Sequence, residues 1–235
     1  MVEGEAPKRT WDPKKPSLVY FDLHVKGEAI RMLLSLAGQE FNDIRLGFDE
    51  WGEMKKLMPA GQVPLWIEPG EDATEGEGPL PEGKQFNQSH AILKRLGKKF
   101  GYYSDDADEA YQIDWALEST SDHWAGRTYM VQMKDDQSEE KLQEVRDAFT
   151  KLNKVVGNKL TEGGKKFIAG DRITIGDIAL FVPYAAYAVN EKTLREKQQE
   201  AAASTLEGQD KLNAWIEAMK TELAAHLEAR PQAIC

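Results

Sequence analysis

The chain of 235 residues is 41% hydrophobic and 30% charged, a composition typical of soluble globular proteins with one large domain or two modest ones. Its formal net charge of −10 argues against a nucleic-acid binder, because phosphate contacts need a basic surface. The single cysteine, Cys235, rules out an intrachain disulfide, so any thiol chemistry must use a thiol that a substrate brings.

Neither the beginning of the chain nor its most apolar segment indicates a membrane or export signal. Residues 1–16 are rich in charge and proline, which is typical of a flexible extension and lacks the apolar core of a signal peptide. Residues 178–189 are too short to span a bilayer and include Pro183. We therefore expect a soluble, cytoplasmic protein without membrane insertion.

Short strands and helices alternate over residues 17–100. Residues 18–21, LVYF, form an unbroken apolar run that predicts a buried strand, and a helix follows over residues 28–36, ended by Gly38. Further strands are predicted at 43–48, 63–67 and 85–87, with helices at 49–57 and from Ser89 to about Phe100. This order predicts a small mixed sheet with helices on its faces.

The second part of the chain is predicted to be all-helical. Before it, residues 68–84 are dominated by glycine, proline and acids, which indicates a solvated insertion without a core of its own. Residues 101–106, GYYSDD, have the composition of a linker. Amphipathic helices are then predicted at 107–133, 138–160, 174–189, 191–203 and 208–229.

Tyr20 stands at the end of the first predicted strand, where the apolar run meets the polar segment that leads into a helix. A buried tyrosine usually packs in the core and bonds its hydroxyl to the main chain. The alternative is a phenol placed to act on a ligand at the end of the sheet. The residue alone does not decide between these interpretations.

A second signal is the proline in GQVPLW, residues 61–66. Proline cannot donate to a ladder, so Pro64 indicates the start or the edge of a strand. If the Val63–Pro64 bond is cis, the main chain of Val63 is left to pair with an extended peptide by strand addition. An ordinary trans proline at a sheet edge is an equal alternative.

A third signal is NQS, residues 87–89, at the start of a predicted helix. Ser89 is placed as an N-cap, and a helix N-terminus with free N–H groups is a natural receptor for a carboxylate. The side chain of Gln88 could add a further contact. Most N-cap serines bind nothing, so this motif alone predicts only a cap.

The segment FIAGDRITIGDIALF, residues 167–181, has a structural interpretation. Thr174 and Asp177 have the spacing of a capping box, with Ile173 and Ile178 at the positions of a hydrophobic staple. We interpret Asp177 as the acid that starts a helix and not as a catalytic group.

Taken together and in this order, VYF, the Trp51 segment, GQVP, NQSHAILKRLGKKFGYY and GDRITIGDIAL resemble the cytosolic glutathione S-transferases. The similarity runs from residue 17 to about residue 230, and VYF resembles the tyrosine type, closest to the sigma-like classes. It implies a thioredoxin-like glutathione-binding domain over 17–101, an all-helical domain over 107–235, and a homodimer. Glutathione would be the co-substrate, and no metal is expected.

The resemblance also implies roles for individual residues. Tyr20 matches the catalytic tyrosine, and Asp122 matches the acid that reaches the glutathione of the other subunit. The remaining glutathione-binding positions match Trp51, Lys55, Gln62, Val63, Pro64, Gln88 and Ser89. The hydrophobic pocket for the second substrate is expected to include Phe21, Leu23, Trp124 and Tyr129.

The segment after the first strand departs from the pattern, and three functions stay open. Sigma-like members usually carry an Arg-Gly-Arg-Ala-Glu-like run after the strand, whereas this chain has His24-Val25-Lys26-Gly27-Glu28, which keeps a cation but loses the fork of arginine. The leading prediction is conjugation of glutathione to hydrophobic electrophiles in detoxification. The alternatives are a glutathione-dependent isomerase or peroxidase, and a non-catalytic binding or structural module on the same fold.

Overall fold

The computed structural model describes residues 7–74, 76–125 and 137–233. The chain forms two compact units, one up to Arg95 and one from Leu96 onward. The division falls within helix α3 (Ser89–Phe100), a few residues before the predicted linker at 101–106. The domain boundaries inferred from the sequence stay a prediction.

The first unit is built on a four-stranded mixed sheet, as the sequence predicts. Its strands are β2 (Ser17–Phe21), β3 (Asn42–Leu46), β4 (Leu65–Glu68) and β6 (Lys84–Asn87), in the order β3-β2-β4-β6. Strands β2 and β3 are parallel, and the other two pairings are antiparallel. The central strand β2 is buried over its first four residues, which explains its unbroken apolar run.

Helices follow the strands at the predicted places. Helix α1 (Glu28–Leu36) ends before Gly38, whose φ of +62° is the left-handed conformation that favours glycine. Helix α2 (Trp51–Met54) continues into a 3-10 turn at Lys55–Leu57. One face of the sheet packs its core against this segment, through Val19, Ile44, Leu46, Met54, Met58, Leu65 and Ile67.

The N-terminal extension and the acidic insertion pair with each other, which the sequence did not indicate. Strand β1 (Arg9–Thr10) runs antiparallel to β5 (Glu77–Gly78), and the N–H of Trp11 donates to the carbonyl of Gly76 at 2.9 Å. Asn42 in β3 ties the same extension to the sheet. Its amide donates to the carbonyl of Asp12 at 3.0 Å, and its Oδ1 accepts the Asp12 N–H at 3.0 Å.

The second unit is helical throughout its described elements, in agreement with the prediction. Its α-helices are α4 (Ala107–Ala125), α5 (Glu139–Gly163), α6 (Ile175–Pro183), α7 (Glu196–Ala203), α8 (Asp210–Glu222) and α9 (Ala224–Ala229). Every residue of α6 is buried, which makes it the central helix of this unit. A π-helical turn, Tyr184–Ala188, follows Pro183.

The predicted capping box at the start of α6 is present. The carboxylate of Asp177 accepts the N–H of Thr174 at 3.0 Å and its hydroxyl at 2.8 Å. The same side chain accepts the N–H of Ile168 at 2.8 Å and the indole N–H of Trp215 at 3.1 Å. Burial raises the pKa of Asp177, and these hydrogen bonds oppose the rise. All three partner residues belong to the helical unit, which supports the structural interpretation.

No helix within the described ranges is both long and apolar enough to cross a bilayer.

Candidate active site

A cavity of about 260 Å³ opens in the first unit, at the edge of the sheet where β2 ends and β4 begins. It is lined by Phe21, Lys26, Trp51, Gly61, Gln62, Val63, Pro64, Gln88 and Ser89. Six of these residues are glutathione-binding positions implied by the resemblance. They come together because β2 and β6 end at this edge, while antiparallel β4 begins there.

One wall of the cavity carries the predicted proline. The Val63–Pro64 peptide bond is cis, the first of the two alternatives that the sequence left open. The registers of β4 with its two neighbours begin at Leu65, opposite Val19 and Asn87. Val63 therefore lies just outside the ladder and beside the cavity, with its main chain in place for an extended ligand.

A second wall is the start of helix α3. Gln88 has a φ of +72°, and its carbonyl accepts the N–H of Ile92 at 2.9 Å, so Gln88 occupies the N-cap position. Ser89 is the first helical residue and not the N-cap that the sequence predicts, so the helix begins one residue earlier. Because both residues line the cavity, the positive end of the helix dipole is directed at it.

Tyr20 does not itself line this cavity and is 3% exposed. Its hydroxyl oxygen accepts the main-chain N–H of Lys26 at 3.2 Å, and Lys26 lines the cavity. The hydroxyl is thus one hydrogen bond away from the cavity wall. Accepting that N–H uses a lone pair of the phenol oxygen and not its proton.

Two residues, Gly27 and Arg31, lie close to the ring of Tyr20. A Cβ placed on Gly27 would lie 2.5 Å from Cγ and Cδ1 of Tyr20, so only glycine lets the main chain approach the ring this closely. The guanidinium carbon of Arg31 lies 5.8 Å from the ring centroid. Neither residue was identified as important from the sequence.

Arg31 also holds the segment that leaves β2. Its guanidinium donates to the carbonyls of Leu23 at 2.9 Å and Phe21 at 3.4 Å. Its charge is balanced by Glu28 at 3.3 Å and Asp43 at 3.0 Å, and the side chains of Arg31 and Glu28 are 2% and 0% exposed. The Glu28–Arg31 spacing on a helix with an apolar face is the one sequence signal that could have indicated this buried pair.

Lys55 is next to the cavity but does not line it. It begins the 3-10 turn after α2, and its Cε lies 3.3 Å from the position that a Cβ on Gly61 would take. With Lys26, it places a second cation near the site in a chain of net charge −10.

The other predicted residues do not line the cavity. Asp122 is exposed on helix α4 of the second unit. Leu23 is 1% exposed, and Trp124 is 7% exposed and contacts Tyr187 at 6.4 Å between ring centroids. Tyr129 lies outside the described residues. Their proposed roles stay predictions.

Among the residues that the structure describes, no three His, Cys, Asp or Glu side chains are grouped as metal ligands would be.

Comparison with known proteins identifies the family. Residues 121–230 match the family described as Glutathione S-transferase, C-terminal domain. Glutathione S-transferase 3 of Caenorhabditis elegans is 27% identical over 172 residues, which cover 69% of this chain and 75% of that protein. The sigma-class glutathione S-transferase of Fasciola hepatica superposes with a TM-score of 0.76 at 26% identity, over 95% of this chain and 100% of the other. The chain belongs to the glutathione S-transferase family.

The family and the two-part fold predicted from the motifs are therefore confirmed. A further relative, a glutathione S-transferase of the hookworm Necator americanus described as monomeric, has a TM-score of 0.74 at 26% identity, over 93% of this chain and 98% of that one. Family membership thus leaves the oligomeric state of this transferase open.

Proposed function

We propose that this member of the family conjugates reduced glutathione to hydrophobic electrophiles, with Tyr20 stabilising the thiolate. The observation that carries the proposal is the Tyr20 hydroxyl, held at 3.2 Å by the Lys26 N–H in the wall of the cavity. The proposal assigns the proton of this hydroxyl to the sulfur of bound glutathione, since the Lys26 N–H occupies only a lone pair of the phenol oxygen.

Glutathione is an extended tripeptide with two carboxylates, one ammonium and a thiol, and the cavity has complementary groups for it. The γ-glutamyl carboxylate would accept N–H groups at the start of α3, beside Gln88 and Ser89. The main chain of Val63 would pair with the cysteinyl residue, as in strand addition. Trp51 and Lys55 would contact the glycyl carboxylate.

The ammonium group of glutathione needs an anionic partner. We assign it to Asp122 of the partner subunit in a homodimer, since Asp122 is exposed and able to contact a second chain. A cytoplasmic location and a role in detoxification belong to the same proposal. They follow from the substrate class and not from any feature of the cavity.

One hydrogen bond from Tyr20 is enough to ionise most of the bound glutathione thiol at pH 7. Thiolate is the nucleophile, and a thiol with a pKa near ~8.5 is only about 3% ionised at pH 7. A hydrogen bond to a charged group contributes about 1.5–3 kcal/mol, which lowers the pKa by roughly one to two units. A shift of two units would ionise about three quarters of the bound thiol. Tyr20 therefore acts as a donor to the anion and need not act as a base.

The reaction balances without any further reactant. The thiol proton of bound glutathione leaves to solvent, and the sulfur lone pair forms a C–S bond to the electrophilic carbon. With a chlorinated aromatic compound the C–Cl bond breaks and chloride departs with its electron pair. With an activated alkene the electron pair moves to the conjugated oxygen, which is then protonated.

The test is Tyr20→Phe, which removes the donor and keeps the ring. We expect kcat/KM with chlorodinitrobenzene to fall by an order of magnitude or more, while calorimetric affinity for glutathione changes little. Tyr111→Phe is the matched control, because Tyr111 is 62% exposed on α4 and should leave both quantities unchanged. A Tyr20→Phe variant with the wild-type rate would overturn the proposed mechanism.

A further inference from the structure

A second cavity of the first unit lies at the end of the sheet opposite to the candidate active site. It has a volume of about 170 Å³ and is lined by Ser17, where β2 begins, and by Ile67, near the end of β4. The rest of its wall belongs to the N-terminal extension and the acidic insertion, which pair through β1 and β5. The extension lies outside the part of the chain that resembles the transferases, so the motifs of the family do not account for this cavity.

The wall of the second cavity combines an aromatic ring with carboxylates. Trp11 and three prolines line it, and Cη2 of Trp11 lies 3.3 Å from the position that a Cβ on Gly78 would take, so the indole packs against β5. Asp72 and Glu82 also line the cavity, and neither has an ion-pair partner within the part of the chain that the structure describes. A cation held between an indole and a carboxylate gains both cation–π attraction and ion pairing.

Lys15 lines the same cavity, but its ammonium group is paired elsewhere. Its Nζ lies 3.0 Å from a carboxylate oxygen of Glu40 and 3.8 Å from one of Asp12, and neither acid lines the cavity. The charge left on the wall is therefore that of Asp72 and Glu82. The insertion that carries them has six acidic residues and one lysine. The cavity thus favours a cation over an anion.

Ser17 adds a hydrogen-bond donor to the wall. Its side chain is 1% exposed, and its Oγ accepts an amide N–H of Asn42 at 3.0 Å. The hydroxyl proton has no acceptor among the described residues, so it donates to water or to a ligand. A ligand that matches both features of the wall carries a cation for the acids and a carbonyl oxygen for Ser17.

We propose that the second cavity binds an arginine residue of a peptide. Its guanidinium would lie against Trp11 and the carboxylates of Asp72 and Glu82, and its main-chain carbonyl would accept the Ser17 proton. A volume of about 170 Å³ is below the roughly 300–1,000 Å³ of drug-sized ligand sites, so it accommodates one long side chain. Arginine fits better than lysine, because a planar guanidinium stacks on aromatic rings and pairs with carboxylates in a fork. This binding is independent of the proposed conjugation.

The test is an NMR titration of the isotope-labelled full-length chain with N-acetylarginine methylamide, which has the guanidinium and two carbonyl groups. We expect the indole N–H signal of Trp11, assigned by its absence in Trp11→Phe, to shift and saturate with a Kd of about 0.1–1 mM. The citrulline analogue has nearly the same shape without the charge and should bind at least about 10-fold more weakly.

Variants of the acids identify the binding groups. Asp72→Asn combined with Glu82→Gln should weaken the arginine probe about 10-fold, while kcat/KM with chlorodinitrobenzene stays unchanged. Glu71→Gln is the matched control, an exposed acid of the same insertion that does not line the cavity, and should change the affinity less than about 2-fold. Equal losses in the double variant and in Glu71→Gln would overturn the proposal.

Two further results would contradict the proposal. One is equal affinity for the arginine and citrulline probes, or no shift of the Trp11 signal at about 10 mM probe. The other concerns the peptide: methylguanidine has no carbonyl group and should bind at least about 5-fold more weakly than the arginine probe. Equal affinity for both would overturn the assignment to a peptide. Because these measurements need no turnover, a failure of the proposed conjugation leaves them unaffected.

Discussion

Tyr20 and Phe21 are neighbours at the end of β2, but the side chain of Tyr20 is buried whereas that of Phe21 lines a cavity. Successive side chains of a strand point to opposite faces. Tyr20 is 3% exposed and enclosed by Gly27, Arg31 and the main chain of Lys26. Phe21 lines an open cavity and supports the exposed ring of Phe48.

The two environments suit two different roles: a hydrogen-bond donor that must be held rigidly, and a surface that accepts varied ligands. A donor to a thiolate must keep its distance and angle, so it benefits from rigid surroundings. A surface for varied hydrophobic ligands needs open faces and few polar demands. We propose that two consecutive residues of β2 serve these two purposes, Tyr20 from a packed position and Phe21 from the cavity wall.

The largest effect is expected from a substitution among the buried residues next to Tyr20. Arg31→Met removes the guanidinium that donates to the carbonyls of Phe21 and Leu23, and it leaves Glu28 as an acid with 0% exposure. We expect a loss of about 3–5 kcal/mol in the free energy of unfolding, measured by urea denaturation at fixed protein concentration.

Two variants make this prediction specific. Adding Glu28→Gln to Arg31→Met should recover part of the loss, because the acid is removed as well. Arg45→Met is the matched control. Arg45 pairs with Asp22 at 2.6 Å and with Asp43 at 2.8 Å, but its side chain is 22% exposed, so its loss should cost only about 0–1 kcal/mol. If Arg31→Met lowers the free energy of unfolding no more than Arg45→Met does, burial of the Arg31 ion pair does not contribute to stability.

A smaller substitution, also next to Tyr20, should lower the rate of catalysis. In Gly27→Ala the new methyl group would lie 2.5 Å from the Tyr20 ring, so the ring or the loop has to move. We expect kcat to fall about 10- to 100-fold, with glutathione affinity changed much less. Gly70→Ala is the control, since a Cβ at Gly70 meets no atom within 4 Å. A fully active Gly27→Ala enzyme would mean that the position of the Tyr20 ring is not critical.

The smallest effect is expected in the N-terminal extension. Arg9→Gln removes the ion pair with Glu50, whose side chain is 17% exposed, so we expect the free energy of unfolding in urea to fall by about 1 kcal/mol. Lys14→Gln is the control, because Lys14 donates to the carbonyl of Glu71 in the insertion and not to Glu50. An equal change in both variants would point to the extension as a whole and away from Arg9.

Local patterns in the sequence predicted much of the molecule. The apolar run of β2 and the spacing of Thr174 and Asp177 each report the environment of their own segment, and both were confirmed. The cis Val63–Pro64 bond was one of two alternatives, because the motif fits both isomers and only the surrounding fold selects one. The start of α3 differed by one residue, since Gln88 adopts a left-handed conformation that its sequence does not reveal.

Contacts between distant segments were not predictable in this way. Strands β1 and β5 have two residues each, too few for any periodicity, so their pairing could not be read from the chain. Gly27 and Arg31 matter because of where the ring of Tyr20 lies, which is a property of the folded unit. Phe48 is a single exposed ring, and only its stacking on Phe21 distinguishes it from other surface residues.

The most direct test of the central claim is the pKa of the glutathione thiol when bound, followed by the ultraviolet absorbance of the thiolate across a pH titration. In the wild-type enzyme we expect the bound thiol to titrate about one to two units below its free value of ~8.5, and in Tyr20→Phe close to that free value. Equal thiol pKa values in the two proteins would contradict the account.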